Sequence, residues 1–419
     1  MDKFTIEGPS KIKGKVKISG SKNSSLPILA ATLLFNQPVI IKNLPKVEDI
    51  NTMISLLRSL GSKVTLSSNR RTAKIDNQKK LKTFASYSLV KTMRGSILVL
   101  GPLIAKYFKT KISLPGGCSI GARPINYHLD ALKKLGMKYI LKDGYILARS
   151  SGKLKGTIIK FPKISVGATE NSILAACLAN GITVLKNCAI EPEIKDLTNF
   201  LNSAGAKISW KGRVCKIIGV TSLSKTEYTV MADRIEAGTF CVIATVSRGN
   251  LDIVNFDGRI IKTELDLLKK FGAKIKVNKK KISIKGPENI KSIKNIKTEE
   301  YPGVSTDMQS QLMVLMCKAN GKSSITENIF ENRFMHVAEL NRMGAKILIK
   351  GNKALIDGNT KFAAAELMAT DLRASVSLVL AALTTKGKSL INRIYHLDRG
   401  YENIEKKLQK IGAKIRRLN

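Results

Sequence analysis

Leu268-Lys269-Lys270-Phe271-Gly272-Ala273-Lys274-Ile275 reads as the end of a helix and the start of a strand. Glycine takes the left-handed conformation that closes a helix more readily than any other residue, and the alternating run after it favours a strand. The phrase recurs at 57–64, 132–139, 201–208, 340–347 and 408–415. Its glycines fall at 61, 136, 205, 272, 344 and 412, so the steps are 75, 69, 67, 72 and 68 residues. Six copies at a near-constant step make the chain a sixfold repeat, and units of this length are too long for a solenoid.

A second element precedes each cap: a small-residue turn followed by an apolar helix, at Ser24–Leu34, Gly95–Ala105, Ala168–Ala179, Glu236–Thr245, Asp307–Lys318 and Arg373–Thr384. These stretches are too apolar for a surface position and predict buried helices. Each unit then reads strand, buried helix, strand, amphipathic helix, strands, which is an α/β class. Three units on either side of about residue 230 predict two similar lobes, 22–229 and 1–21 with 230–419. The N-terminal strand completes the second lobe, and a cleft between lobes is the expected place for a site.

The 419 residues are 43% hydrophobic, enough for cores of this size. Five of the six cysteines (177, 188, 215, 241, 317) lie apart from any CxxC pair, four of the six in apolar stretches, and the three histidines lack metal-ligand spacing. No run of about 18–20 apolar residues is present to span a bilayer, and Met1–Gly20 has no signal-peptide core. A cytoplasmic protein without membrane contact is expected. The net charge of +41 is spread end to end, with aromatics at 5%, so it predicts attraction of anionic small molecules and no nucleic-acid partner.

Cys118 is the exception among the cysteines. It sits in Pro115-Gly116-Gly117-Cys118-Ser119-Ile120-Gly121-Ala122-Arg123-Pro124, a loop with no apolar face to bury and a cation five residues on that favours the thiolate. Other polar groups gather at the entrances to the apolar helices: Ser21-Lys22-Asn23, Arg94, Lys163 to Ser165, Asp233-Arg234, Thr306-Asp307 and Asp371-Leu372-Arg373. Helix N-termini present N–H groups and a positive dipole end to phosphate and carboxylate. With Lys22, Arg94, Arg123, Arg373 and Arg399, this pattern predicts a substrate bearing more than one anionic group. Asp307 is the carboxylate chosen as base, with Asp371 and Glu191 as alternatives.

These stretches, with Ser165-Val166-Gly167-Ala168-Thr169, Asp233-Arg234-Ile235-Glu236-Ala237-Gly238, Glu331-Asn332-Arg333-Phe334-Met335-His336 and Asp398-Arg399-Gly400-Tyr401, run the full length of the chain. Together they resemble the enolpyruvyl transferases that act on UDP-N-acetylglucosamine. The resemblance implies an inside-out α/β barrel fold: two pseudo-threefold lobes, each of three βαβαββ repeats. It implies transfer of the enolpyruvyl group of phosphoenolpyruvate to the sugar 3-hydroxyl through a tetrahedral ketal, with phosphate released, at the start of peptidoglycan precursor synthesis. It implies neither metal nor cofactor, and a functional monomer is compatible with it.

By the same resemblance Cys118, Asp307, Lys22 and Arg399 are catalytic, and Lys22, Asn23, Arg123, Arg373 and Arg399 bind phosphoenolpyruvate. Arg94, Arg123, Pro124, Ile125, Asn126, Tyr127, Lys163, Ile164, Ser165, Val166, Asp307 and Ile329 line the UDP-sugar site. Cys118 is the general acid at the methylene carbon and the expected target of fosfomycin. Asn126-Tyr127 and Val304-Ser305 depart from the pairs common in the family, Asp-Leu and Phe-Pro, beside the nucleotide site. The alternative is the sister enzyme using shikimate 3-phosphate, whose chemistry needs no loop cysteine.

Overall fold

The computed structural model of the chain describes residues 2–77, 81–114, 116 and 125–418. Within these, residues 20–231 form one compact unit, and 2–19 with 232–418 form another. Six four-stranded sheets carry the chain, and each has the same plan of one parallel pair and two antiparallel pairs. In the third repeat, Ile158–Lys160 pairs in parallel with Ile182–Lys186, which pairs with Val214–Ile218 and through it with the edge strand Lys207–Lys211. A buried helix makes the parallel crossover and an amphipathic helix precedes the closing hairpin, so the order is βαβαββ.

Among the described residues three sheets borrow a strand from far along the sequence, one of them pairing Lys13–Lys17 in parallel with Asn250–Val254. Glu227–Thr229 pairs with Val39–Lys42 at the edge of the first sheet of its unit. Lys3–Gly8 is inserted between Gly387–Asn392 and Lys414–Leu418, with Phe4 opposite both Ile391 and Arg417. Among the described residues every sheet is open, and none closes into a barrel. The structure is therefore α/β with mixed sheets, coarser than the inside-out barrel expected from the resemblance.

The six apolar helices are Lys22–Ala31, Leu100–Tyr107, Val166–Ala176, Arg234–Val246, Gln309–Lys318 and Ala374–Leu383. All thirteen residues of Arg234–Val246 and all ten of Ala374–Leu383 are buried. A helix apolar on every face cannot rest at a surface, and each fully enclosed Leu, Ile or Val side chain contributes about 1.5–3 kcal/mol. Gln309–Lys318 packs on both Arg234–Val246 and Ala374–Leu383; in the other unit Leu100–Tyr107 packs on Val166–Ala176. The second helix of each repeat, such as Glu48–Ser59, buries only one face.

The repeated glycines do what their position predicts. At Gly272 φ is +106, its N–H donates to Lys269 C=O at 2.9 Å, and Ala273 N–H donates to Leu268 C=O at 3.0 Å. The carbonyls left over at the helix end are thus used. Gly344 and Gly412 have similar φ (+93 and +100), but a Cβ at Gly412 would lie 2.5 Å from Lys11 O, whereas at Gly344 the nearest atom is 3.7 Å away. Gly344→Ala should cost about 1–2 kcal/mol for the left-handed conformation alone. Gly412→Ala should cost more, because Lys11 must also move; equal losses in urea unfolding would contradict this.

Candidate active site

In the unit made of 2–19 and 232–418, the polar residues at the helix entrances form one network. Asp307 lies in the short 3-10 turn Thr306–Met308, whose N-cap Ser305 accepts from Asp307 N–H at 3.3 Å. Its Oδ1 accepts from Arg333 Nη2 at 2.8 Å, and its Oδ2 is 3.4 Å from Arg373 Nε. Burial alone would raise the Asp307 pKa. The guanidiniums of Arg373, Arg333 and Arg234 more than reverse that and hold the carboxyl well below the usual range.

Arg373 is 2% exposed, and its guanidinium has no close bidentate partner among the described residues; its polar neighbours are the Asp307 carboxylate and the Tyr401 hydroxyl. Its guanidinium stands 5.1 Å from the centroid of the Tyr401 ring. The backbone is fixed from two sides: Asp371 Oδ1 accepts from the N–H of Arg373 (2.7 Å) and Ala374 (2.8 Å), and Ser310 Oγ donates to Arg373 C=O at 3.0 Å. Gln311 Nε2 reaches Asp307 C=O (3.0 Å), Thr239 Oγ1 (3.2 Å) and Tyr401 OH (3.3 Å). The beginnings of three buried helices are tied together by these bonds. A buried guanidinium without a close bidentate partner is costly, and a planar anion would supply one.

Glu327 organises the other side of Asp307. It is 3% exposed; Oε1 accepts from Thr298 Oγ1 (2.8 Å) and Ile329 N–H (2.9 Å), and Oε2 from Thr306 Oγ1 (2.9 Å). One carboxylate thus positions both Ile329 and the residue before Asp307. Arg399 and Ile329 are half-buried.

In the unit 20–231, Lys22 Nζ is 2.6 Å from Asp49 Oδ2, with side chains 9% and 5% exposed. Ser21 caps the helix Lys22–Ala31, and Ser24 Oγ donates to Asp196 Oδ2. Asp196 also accepts from Tyr228 OH (2.6 Å) and Met231 N–H (3.1 Å), which fixes the chain just before it leaves this unit. Arg94 opens the 3-10 turn Arg94–Val99, and Asn126 opens the helix Asn126–Lys134. Ser165 caps Val166–Ala176 by accepting from Ala168 N–H at 3.3 Å. Asn23, Arg94, Ile125, Tyr127, Ile164 and Ser165 are half-buried, while Asn126, Lys163 and Val166 are exposed. Cys118, Arg123 and Pro124 lie outside the described residues.

The other five cysteines are buried, one more than the apolar stretches indicated, and burial pushes the thiols of Cys177, Cys188 and Cys317 up to about 12. Thiols so hard to ionise are poor nucleophiles.

A family model described as EPSP synthase (3-phosphoshikimate 1-carboxyvinyltransferase) matches residues 6–408. A Pelagibacter ubique protein named UDP-N-acetylglucosamine 1-carboxyvinyltransferase is 62% identical over 420 aligned residues, covering 100% of both chains. A protein of the same name from Acinetobacter baylyi is 46% identical, again over 100% of both. The chain belongs to the enolpyruvyl transferase family. Among solved structures, the enolpyruvyl transferase NikO from Streptomyces tendae has a TM-score of 0.89 at 24% identity, over 99% of this chain and 98% of that one. An EPSP synthase from Acinetobacter baumannii has a TM-score of 0.80 at 20% identity, over 100% of both chains. At these identities the two share the fold with this enolpyruvyl transferase.

Of the residues read from the sequence of this enolpyruvyl transferase, Asp307 and Arg373 come together directly. Arg333, Gln311, Glu327 and Asp49 were missed as site residues. Arg333 lies within the motif Glu331–His336; the signal for Gln311 is the polar run Gln309-Ser310-Gln311 that opens a helix apolar from Leu312 to Cys317. Glu191 and Glu170, with Glu193, are instead a buried acidic group. Burial, then Glu193 and Glu191, hold the Glu170 carboxyl well above its usual pKa. With the native pKa above the unfolded one, the folded state is favoured at low pH and loses stability as pH rises through the native value. Glu170→Gln removes that loss. It should raise Tm at pH 8 and hardly at pH 5; an equal shift at both would contradict the assignment.

Proposed function

We propose that the chain transfers the enolpyruvyl group of phosphoenolpyruvate to the 3-hydroxyl of UDP-N-acetylglucosamine. The acceptor rests on full-length relatives that carry that name, at 46–62% identity. The chemistry rests on one observation: an ionised Asp307 held beside Arg333 and a buried Arg373 that has no close bidentate partner among the described residues. Lys22, Asn23, Arg123, Arg373 and Arg399 bind phosphoenolpyruvate. Arg94, Arg123 to Tyr127, Lys163 to Val166, Asp307 and Ile329 bind the UDP-sugar.

In the addition step the sugar oxygen bonds to C2 of phosphoenolpyruvate while C3 gains a proton from the Cys118 thiol, leaving a methyl group and a tetrahedral ketal. The hydroxyl proton passes to Asp307. A carboxylate this stabilised is a weak base, but the hydroxyl proton becomes strongly acidic as the C–O bond forms, so a well-placed weak base suffices. In the elimination step a methyl proton returns to the Cys118 thiolate, the C=C bond re-forms, the C–O bond to phosphate breaks and phosphate leaves. Lys22, Arg123, Arg373 and Arg399 stabilise the charge that moves onto the phosphate. The product serves peptidoglycan precursor synthesis in the cytoplasm.

We further infer that each lobe is the inside-out arrangement of three βαβαββ repeats about a pseudo-threefold axis, with lobes 22–229 and 1–21 plus 230–419. The enclosed helices and their mutual packing support this reading.

Phosphate release from phosphoenolpyruvate should require UDP-N-acetylglucosamine and fail with shikimate 3-phosphate. Release with the shikimate acceptor alone would move the chain to the sister activity. Cys118→Ala and Asp307→Asn should each lower kcat by about 10²-fold or more. Fosfomycin should inactivate the wild type, the Cys118 thiolate opening the epoxide with C–S formation and C–O cleavage. Cys118→Asp should resist it; inactivation of that variant would place the modified group elsewhere.

A further inference from the structure

Asn171 is a fully buried polar residue in the second turn of the apolar helix Val166–Ala176. Its side chain is used completely. Oδ1 accepts from Gly101 N–H at 2.7 Å, and Nδ2 donates to Ile97 C=O at 3.0 Å and lies 3.1 Å from His128 Nδ1. The Gly101 contact is close enough that a Cβ there would sit 2.4 Å from Oδ1. These partners belong to separate elements: Ile97 to the turn Arg94–Val99, Gly101 to the helix Leu100–Tyr107, and His128 to the helix Asn126–Lys134.

The hydrogen bonds fix one another's direction. A backbone N–H can only donate, so the atom facing Gly101 is the amide oxygen, and the atom facing Ile97 C=O and His128 is the amide nitrogen. His128 Nδ1 must then accept, which leaves the ring neutral with its proton on Nε2. An imidazolium would set N–H against N–H. Burial, then the Arg94 charge, oppose protonation in the same sense and push the His128 pKa down to about 4. The ring edge that carries Nε2 lies over Gly167, where a Cβ would come within 3.1 Å of Nε2. His128 therefore rests on the first turn of the helix that carries Val166.

We propose that Asn171 is a positioning residue for the UDP-sugar site, its one amide holding the Arg94 turn, the Asn126–Lys134 helix and the start of the Val166 helix in register. This rests on the reading that Arg94, Asn126, Tyr127 and Lys163 to Val166 line that site. Asn171 touches no substrate itself. It acts through Arg94, three residues before Ile97, and through the His128 ring, whose tautomer it sets.

Asn171→Asp keeps the size and the acceptor for Gly101 but cannot donate to Ile97 or His128. Steady-state kinetics of the full-length variant should show KM for UDP-N-acetylglucosamine raised about tenfold, the scale of a lost buried hydrogen bond. The kcat and the KM for phosphoenolpyruvate should stay within about threefold. Imidazole nitrogen NMR at pH 7 should find wild-type His128 neutral with the proton on Nε2, and the proton on Nδ1 in the variant. An unchanged KM for the UDP-sugar, or a proportional loss in all three constants, would overturn the proposal. So would wild-type His128 found as imidazolium or as the Nδ1–H tautomer, a measurement that stands even if the variant does not fold. Wild-type protein that does not turn over UDP-N-acetylglucosamine would instead overturn the reading of the site, before any variant is made.

Discussion

A helix that is apolar on every face must be enclosed on every side. Six such helices are the constraint on which this structure depends, and the six sheets and six amphipathic helices cover them. Enclosure leaves few places where a polar group can stand. Along each buried helix the N-terminal turn is where backbone N–H groups go unused by the helix itself. Those turns hold Ser21, Ser165, Asp233, Ser305 and Asp371 as caps, with Lys22, Arg94, Arg234, Asp307 and Arg373 beside them. The repeat thus places charge at equivalent positions because the interior of each helix excludes it.

Burial then makes those charges matter. In the unit that contains Asp307, three guanidiniums face a single carboxylate, which stays ionised although desolvation opposes it. Arg373 pairs only loosely with that carboxylate and has no close bidentate partner among the described residues, an arrangement that costs stability. Sites that bind anions tightly carry such a cost, because donors already stripped of water bond a ligand more strongly than solvated ones. The full hydrogen bonding of Gln311, Glu327 and Asp371 around the same residues keeps the arrangement rigid enough to be useful.

Local physics made much of this legible in the sequence. Helix caps at six glycines and the apolar helices depend on neighbours within a few residues, and each is found near its expected place. Asp307 and Arg373 stood out in the sequence because each opens a buried helix, and the structure brings them to 3.4 Å. What escaped depends on contacts distant in sequence. Asn171 bonds to residues 70 and 74 positions away, and Glu327 reaches Thr298 from 29 positions away. No local pattern encodes such bonds; only a polar residue in an apolar run hints that a partner exists. Glu191, named as an alternative base, stands among the buried acids Glu170 and Glu193, a grouping no local pattern shows.

The claim at the centre is that Arg373 is held ready for an anion and not spent on Asp307. Thermal unfolding of wild type and Arg373→Met, with and without inorganic phosphate at constant ionic strength, tests it directly. Phosphate should raise Tm of the wild type and leave that of Arg373→Met unchanged. An equal rise in both proteins would contradict the account, and Arg373 would then be a structural partner of Asp307.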